Sequence, residues 1–109
     1  MSKHCMLYIT AGTREEALTI ARALVAEKLV ACVNVLGEAT SIYRWQGKVE
    51  EGVETILIAK TRKDLADKAL KRIQELHSYD VPAAVVYDMA VGLPTYLAWI
   101  DAETAGGIS

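Results

Sequence analysis

Two segments of the chain are apolar almost without interruption, and they limit the fold more than any other feature. The first is Cys5–Thr10, and the second is Val53–Lys60, in which Ile56, Leu57, Ile58 and Ala59 follow one another. Strands that read as continuous apolar runs are typical of the middle of a sheet, where both faces are covered. We therefore expect a sheet with these two strands at its centre.

Each apolar strand is followed by a segment with the pattern of an amphipathic helix. Thr13–Glu16 has the form of a capping box, in which the Thr13 hydroxyl accepts from the amide of Glu16 and the Glu16 side chain reaches back. Thr61–Asp64 repeats the pattern with the shorter Asp. The apolar stripes that follow have helical spacing. They are Ala17, Leu18, Ile20, Ala21, Leu24 and Val25 in the first helix, and Leu65, Ala66, Ala69, Leu70, Ile73 and Leu76 in the second.

Two further strands and a short helix complete the pattern. We place the second strand at Leu29–Leu36, the fourth from Val81 to about Met89, and a last helix at Thr95–Glu103. The order βαββαβ plus a helix predicts an α+β, ferredoxin-like sandwich. Right-handed crossovers then put the first and third strands in the middle and the other two at the edges. A chain of 109 residues is enough for one domain, residues 1–109, with an ordered core of about 4–104.

The predicted strand order also decides whether the two cysteines can be bonded. Cys5 and Cys32 fall on strands that the third strand separates, so their backbones are about 9–10 Å apart. A disulfide tolerates a Cα separation of at most about 7 Å. We expect two free thiols.

Charge and hydropathy predict the cellular location of the protein and exclude two classes of partner. The net charge is −2 and the basic residues are scattered, which predicts no nucleic-acid partner and no membrane surface. The apolar stretch near the N-terminus, Cys5 to Ile9, is shorter than the roughly 7–15 residues of a signal peptide core. We therefore predict a cytoplasmic protein.

Strands two and three form a hairpin too long for so small a domain. It runs from Val30 to Lys60 and turns near Gln46-Gly47, so its tip must project. Exposed Ile42, Tyr43 and Trp45 would be an aggregation hazard in a monomer, and Tyr and Trp are favoured interface anchors. We predict that these three residues anchor a closed symmetric assembly. The alternative is that Trp45 folds back onto its own domain.

Five separated motifs make the chain similar to a known family, the CutA divalent-cation tolerance proteins. They are Ala31-Cys32-Val33-Asn34, Ser41-Ile42-Tyr43-Arg44-Trp45-Gln46-Gly47, Lys60-Thr61, Leu76-His77-Ser78-Tyr79-Asp80-Val81-Pro82 and Tyr96-Leu97-Ala98-Trp99. The resemblance implies a ferredoxin-like fold and a homotrimer related in shape to PII-type signalling proteins. It also implies a cytoplasmic location and a link to copper and other divalent cations, with no cofactor required.

The resemblance leaves few metal ligands in this chain. After the Tyr-x-x-Pro motif the family usually carries Glu, whereas this chain has Ala83, and Ile9 stands where some members have Cys. His77 remains as a weak metal site, with Asp80 and Asp88 as helpers without a close-spaced motif. The alternative is a structural histidine at a helix end, packed near Tyr79.

Two other functions can be weighed from the residues. An acylphosphatase-like enzyme would need Arg14 and Asn34 to hold phosphate, but Glu15 and Glu16 place negative charge at that helix N-terminus, so we predict no enzyme. The second is a PII-like sensor with a pocket between subunits, lined by Lys60, Tyr43, Trp45 and Tyr79. Lys60 could instead pair with a nearby acid.

Overall fold

The computed structural model describes residues 2–106, which form one sheet and three α-helices. The sheet has the order β2-β3-β1-β4, and all neighbouring strands are antiparallel. The α+β, ferredoxin-like prediction and the central position of the two apolar strands are therefore confirmed. The elements are β1 (His4–Ala11), α1 (Arg14–Ala26), β2 (Cys32–Trp45), β3 (Lys48–Arg62), α2 (Ala66–Leu76), β4 (Ala84–Asp88) and α3 (Pro94–Glu103).

The core lies between one face of the sheet and the helices α1 and α2. Every second residue of the central strands is buried, as strand geometry requires. Removal of these side chains from water, at roughly 25 cal/mol per Å² of apolar surface, is the main stabilising contribution to the fold. The central members of this cluster are Cys5, Leu7, Ile9, Leu57, Ala59, Ile20, Leu24 and Ile73.

The opposite face of the sheet, which we call the second face, is covered only in part. Met6, Tyr8, Ile56 and Ile58 alternate with the core residues and are half-buried. Helix α3 covers one end of this face, where Asp101 Oδ1 lies 2.8 Å from His4 Nε2. We expected both faces of the central strands to be covered. Within one chain this is fully true only of the face that packs against α1 and α2.

The β2–β3 hairpin is one continuous ladder with a tight turn. It runs to the pair Trp45–Lys48, with a bulge near Gly37, and Gln46 and Gly47 at the turn have φ of 51° and 83°. Two positive φ values define the turn type whose twist matches a hairpin. Because β1 pairs with β3 only as far as Thr55, residues 39–54 project as a two-stranded ribbon. The molecule is accordingly 44 Å long and 26 Å wide.

The two predicted helix starts have different outcomes. Thr13 Oγ1 accepts from the Glu16 amide at 3.1 Å, as predicted. The Glu16 carboxylate reaches back to the amide of Gly12 and also accepts from the amide of Ser78. The predicted cap at Thr61–Asp64 is wrong. Thr61 lies inside β3, and its hydroxyl donates to the carbonyl of Leu29 at 2.7 Å, because the pairing with β1 extends β3 to Arg62.

Two smaller predictions can be compared with the structure, one of which is confirmed and one corrected. Cys5 and Cys32 are free, as their strand positions predicted. Pro82, expected inside the fourth strand, precedes it, since β4 begins only at Ala84. A proline before the strand leaves the ladder of amides complete.

Candidate functional site

A cavity of about 490 Å³ opens on the second face, where the ribbon leaves the sheet. Ser41, Tyr43 and Trp45 reach it from β2 because alternate residues of a strand share a face. Glu54 reaches it from β3. The described residues that line the cavity are Thr10, Ser41, Tyr43, Trp45, Glu54, Tyr79, Asp80, Val81 and Ala83.

Tyr79 is held at the floor of this cavity by two contacts. Its hydroxyl donates to Glu54 Oε2 at 3.1 Å. A Cβ at Gly12 would lie only 3.0 Å from Tyr79 Oη, so glycine leaves the room that the phenol needs. Burial, the hydrogen bond to Glu54 and nearby negative charge raise the pKa of Tyr79 to about 12. The phenol is therefore a neutral donor at physiological pH.

His77 follows α2 and fastens the loop that carries Tyr79. Its side chain is fully buried; Nε2 donates to the carbonyl of Thr10 at 2.6 Å and Nδ1 accepts from the amide of Tyr79 at 3.1 Å. The two partners fix the neutral tautomer with its proton on Nε2. Both ring nitrogens are thus engaged by backbone groups, which is the structural role that the sequence offered as the alternative to metal binding.

Glu16 joins the first turn of α1 to the same loop. Its Oε2 accepts from the amide of Ser78 at 2.7 Å and lies 3.6 Å from His77 Nδ1. Burial works to raise the pKa of Glu16, but the hydrogen bonds from Ser78 and Gly12, together with the neighbouring His77, outweigh it and hold the pKa below its ordinary value. The ionised carboxylate therefore stabilises the loop at neutral pH.

Of the four residues predicted to share a pocket, the structure brings three together. Tyr43, Trp45 and Tyr79 line the cavity, whereas Lys60 is not among its described lining residues. Lys60 lies six positions from Glu54 along β3, about 20 Å away, and donates to Asn34 Oδ1 rather than to the acid that the sequence suggested. Glu54 lies on the same face of β3 as Lys60, because alternate residues of a strand share a face. It is the cavity residue that was not predicted from the sequence.

The three predicted assembly anchors lie on different faces of the ribbon. Tyr43 and Trp45 face the cavity. Ile42 faces the opposite side, which it shares with Val49 and Val53 of the neighbouring strand β3. All five are exposed in the single chain. The ribbon therefore presents apolar side chains on both faces.

Potential metal ligands are dispersed in this structure. Across residues 2–106, no group of three or more His, Cys, Asp or Glu side chains is placed to hold one ion. Asp80 lines the cavity, while Asp88 forms an ion pair with Lys63 at 2.8 Å, so the two proposed helpers of His77 are engaged in different surroundings.

Comparison with known proteins gives the family. The model of the CutA1 divalent ion tolerance protein family matches residues 5–103. The chain belongs to this family. The divalent-cation tolerance protein CutA of Thermus thermophilus is 44% identical to it over 99 residues, 91% of this chain and 96% of the relative. The family is one of cation tolerance and not a known enzyme family.

Two CutA relatives show that the cellular compartment differs among similar proteins. The chloroplastic CutA of Arabidopsis thaliana is 36% identical over 91% of this chain, which spans only 54% of that protein's length. A solved structure described as the periplasmic CutA of Archaeoglobus fulgidus superimposes with a TM-score of 0.90 at 37% identity, covering 93% of this chain and 98% of the other. Within residues 2–106, none of the helices is both long and apolar enough to cross a membrane. Cytoplasmic location stays a prediction.

Proposed function

We propose that this CutA chain acts as a non-enzymatic, cytoplasmic homotrimer associated with divalent-cation tolerance, copper in particular, and that its own contact with metal is weak or indirect. Family membership supports the tolerance role. The engagement of both His77 nitrogens by backbone groups supports weak metal contact, since a ligand role would require breaking at least one of those hydrogen bonds.

The observation that supports the proposed assembly is the exposed apolar surface of the ribbon. On one face, Ile42, Val49 and Val53 are 67%, 62% and 56% exposed. Tyr43 and Trp45 add aromatic surface on the other face. A long, exposed, apolar ribbon is an aggregation site unless it is covered, and copies of the same chain cover it by closed symmetry. The number three comes from the family resemblance.

The experiment is light scattering of the purified protein over a concentration series. We expect three times the chain mass down to low micromolar concentration. Trp45→Ala removes a central aromatic anchor and should weaken assembly by about 2 kcal/mol or more. Val91→Ala is the matched control, because Val91 is 91% exposed and lies outside the ribbon. A monodisperse wild-type monomer would refute the proposal.

A PII-like sensor is the second candidate, and the cavity beside Tyr43 and Trp45 is the observation in its favour. PII-like signalling requires a small ligand held between subunits. Calorimetric titration with nucleotides separates the two functions, because saturable binding of one nucleotide per chain supports the sensor. Copper binding with no nucleotide binding supports the tolerance role.

A further inference from the structure

The outer edge of β4 carries backbone groups that point away from the sheet. Within residues 2–106, β4 has a neighbouring strand on one side only, which is β1. Thr10 N donates to the carbonyl of Ala83, and Met89 N donates to the carbonyl of His4. Hydrogen-bonded pairs alternate along an antiparallel ladder, so the odd-numbered residues of β4 bond to β1. The outward amides and carbonyls are therefore those of Ala84, Val86 and Asp88.

The ribbon has an outer edge of the same kind, on β2. Trp45 and Lys48 enclose a turn of two residues, so they form a hydrogen-bonded pair. By the same alternation, Tyr43 and Ser41 also bond to β3. The outward amides and carbonyls of this edge belong to Thr40, Ile42 and Arg44.

These two edges lack the features that prevent pairing with a further strand. Exposed edges are commonly protected by charged residues, proline or a covering segment. β4 carries no charge before its last residue, Asp88. In the ribbon, residues 40–45 of β2 carry one charge, that of Arg44, whereas residues 48–54 of β3 carry four. The β3 edge of the ribbon is therefore protected by charge, and the β2 edge is open to pairing.

We propose that the ribbon edge of β2 in one copy pairs with the outer edge of β4 in the next copy, which joins their sheets by backbone hydrogen bonds. The proposal rests on the homotrimer proposed above and names the two surfaces that form it. A ring of three copies is heterologous, which means that each chain contributes two different surfaces. Each chain has one such ribbon edge and one such β4 edge, so a closed ring pairs them all.

The direction and the spacing of the two edges agree with this pairing. β1 is antiparallel to β3 and to β4, and β3 is antiparallel to β2, so β2 and β4 run in opposite directions. Sheets placed side by side therefore meet as an antiparallel pair. Each edge offers three outward residues, at every second position over about 14 Å. The register that uses all of them joins Thr40 to Asp88, Ile42 to Val86 and Arg44 to Ala84.

The side chains beside these edges are also complementary. On the second face, Val85 and Tyr87 of β4 are exposed, as are Tyr43 and Trp45 of the ribbon. Pairing through the outward groups puts both second faces on the same side, because alternate residues of a strand share a face. Tyr43 then lies opposite Val85 of the next copy. A cross-strand pair of an aromatic and a β-branched residue stabilises an antiparallel sheet.

Amide hydrogen exchange of the full-length protein, resolved by residue with nuclear magnetic resonance, tests the pairing directly. The measurement is made at a concentration at which light scattering shows a trimer. We expect the amides of Ile42 and Val86 to exchange at least about a hundredfold more slowly than the amide of Val49. Val49 is the internal reference, because its amide points outward from the β3 edge of the same ribbon.

Matched proline variants test the same edge by assembly. Proline at an edge position removes one outward amide and leaves the ladder within the chain complete. Ile42→Pro does this on the β2 edge and Val53→Pro on the β3 edge, and both side chains are exposed on the same ribbon face. We expect Ile42→Pro to raise the concentration of half-dissociation at least about tenfold and Val53→Pro less than about twofold. Val86→Pro makes the corresponding change on β4 and should match Ile42→Pro.

Circular dichroism of the three variants checks that each chain is folded. A wild-type trimer in which the Ile42 and Val86 amides exchange as fast as that of Val49 would overturn this pairing and leave the homotrimer standing. Equal effects of Ile42→Pro and Val53→Pro on dissociation would also overturn it. A wild-type monomer at every concentration refutes the homotrimer itself, so the two failures are distinguishable.

Discussion

Replacement of His77 by alanine separates a structural histidine from a metal ligand. The side chain is fully buried, and its removal leaves the carbonyl of Thr10 and the amide of Tyr79 without partners. Each buried polar group left unpaired costs roughly 1–3 kcal/mol. Because the hydrogen bond to Tyr79 is only partly buried, we expect His77→Ala to lower the free energy of unfolding by about 2–4 kcal/mol.

Urea unfolding at pH 7 and a fixed protein concentration measures this loss, since the stability of an assembled protein depends on concentration. His77→Gln keeps a donor for Thr10 and should lose about half as much. The control is His4→Ala, in which one hydrogen bond to a half-exposed Asp101 disappears, at a cost of about 1 kcal/mol. Calorimetry with copper(II) runs in parallel. An unchanged urea midpoint for His77→Ala together with a tenfold loss of copper affinity would refute the structural role.

Three further changes test other parts of the site and hairpin. The pKa of Glu16 lies below its ordinary 4.5 in the folded chain, so its stabilisation is present above that pH and is lost as acid protonates the carboxylate. Wild type should therefore exceed Glu16→Gln in urea midpoint at pH 6, and the difference should shrink by pH 3. Gly47→Ala places a side chain at φ 83° and should cost about 1 kcal/mol in unfolding free energy. Gly12→Ala places a Cβ 3.0 Å from Tyr79 Oη, so the phenol must shift by a few tenths of an ångström. We expect the shift to weaken the hydrogen bond to Glu54 and to lower the pKa of Tyr79 from about 12, measured by tyrosine-specific nuclear magnetic resonance.

The strand order could be predicted because the uninterrupted apolar runs of β1 and β3 are a property of the sequence. The start of the second helix could not be predicted. Thr13 and Thr61 precede similar charged residues, yet only Thr13 caps a helix. The pairing of Arg62 with His4 keeps Thr61 in a strand, and this contact joins residues far apart in sequence. Tertiary pairing therefore overrode a local signal of equal appearance.

Part of the site could also be read from the sequence. Tyr43 and Trp45 lie on the same face of β2 because alternate residues of a strand share a face, and Ile42 lies on the opposite face by the same rule. Grouping the three residues only as exposed and apolar did not separate Ile42 from the other two. The placement of Tyr79 depends on the hydrogen bond from His77 Nε2 to the carbonyl of Thr10, between segments 67 residues apart. No local sequence pattern predicts a contact of that kind. The part of the cavity lining that comes from the loop after α2 could therefore not be predicted from the sequence.

The ribbon links the cavity to assembly. Trp45 lines the cavity and belongs to the exposed apolar surface that a second copy would cover. A ligand of the proposed PII-like sensor and a neighbouring chain would contact the same side chain, so their binding free energies would be coupled. Such coupling is reciprocal: if the ligand strengthens assembly by some factor, assembly strengthens ligand binding by the same factor. For the proposed sensor we therefore expect a ligand affinity that depends on protein concentration across the range in which the assembly dissociates, and that is constant above it.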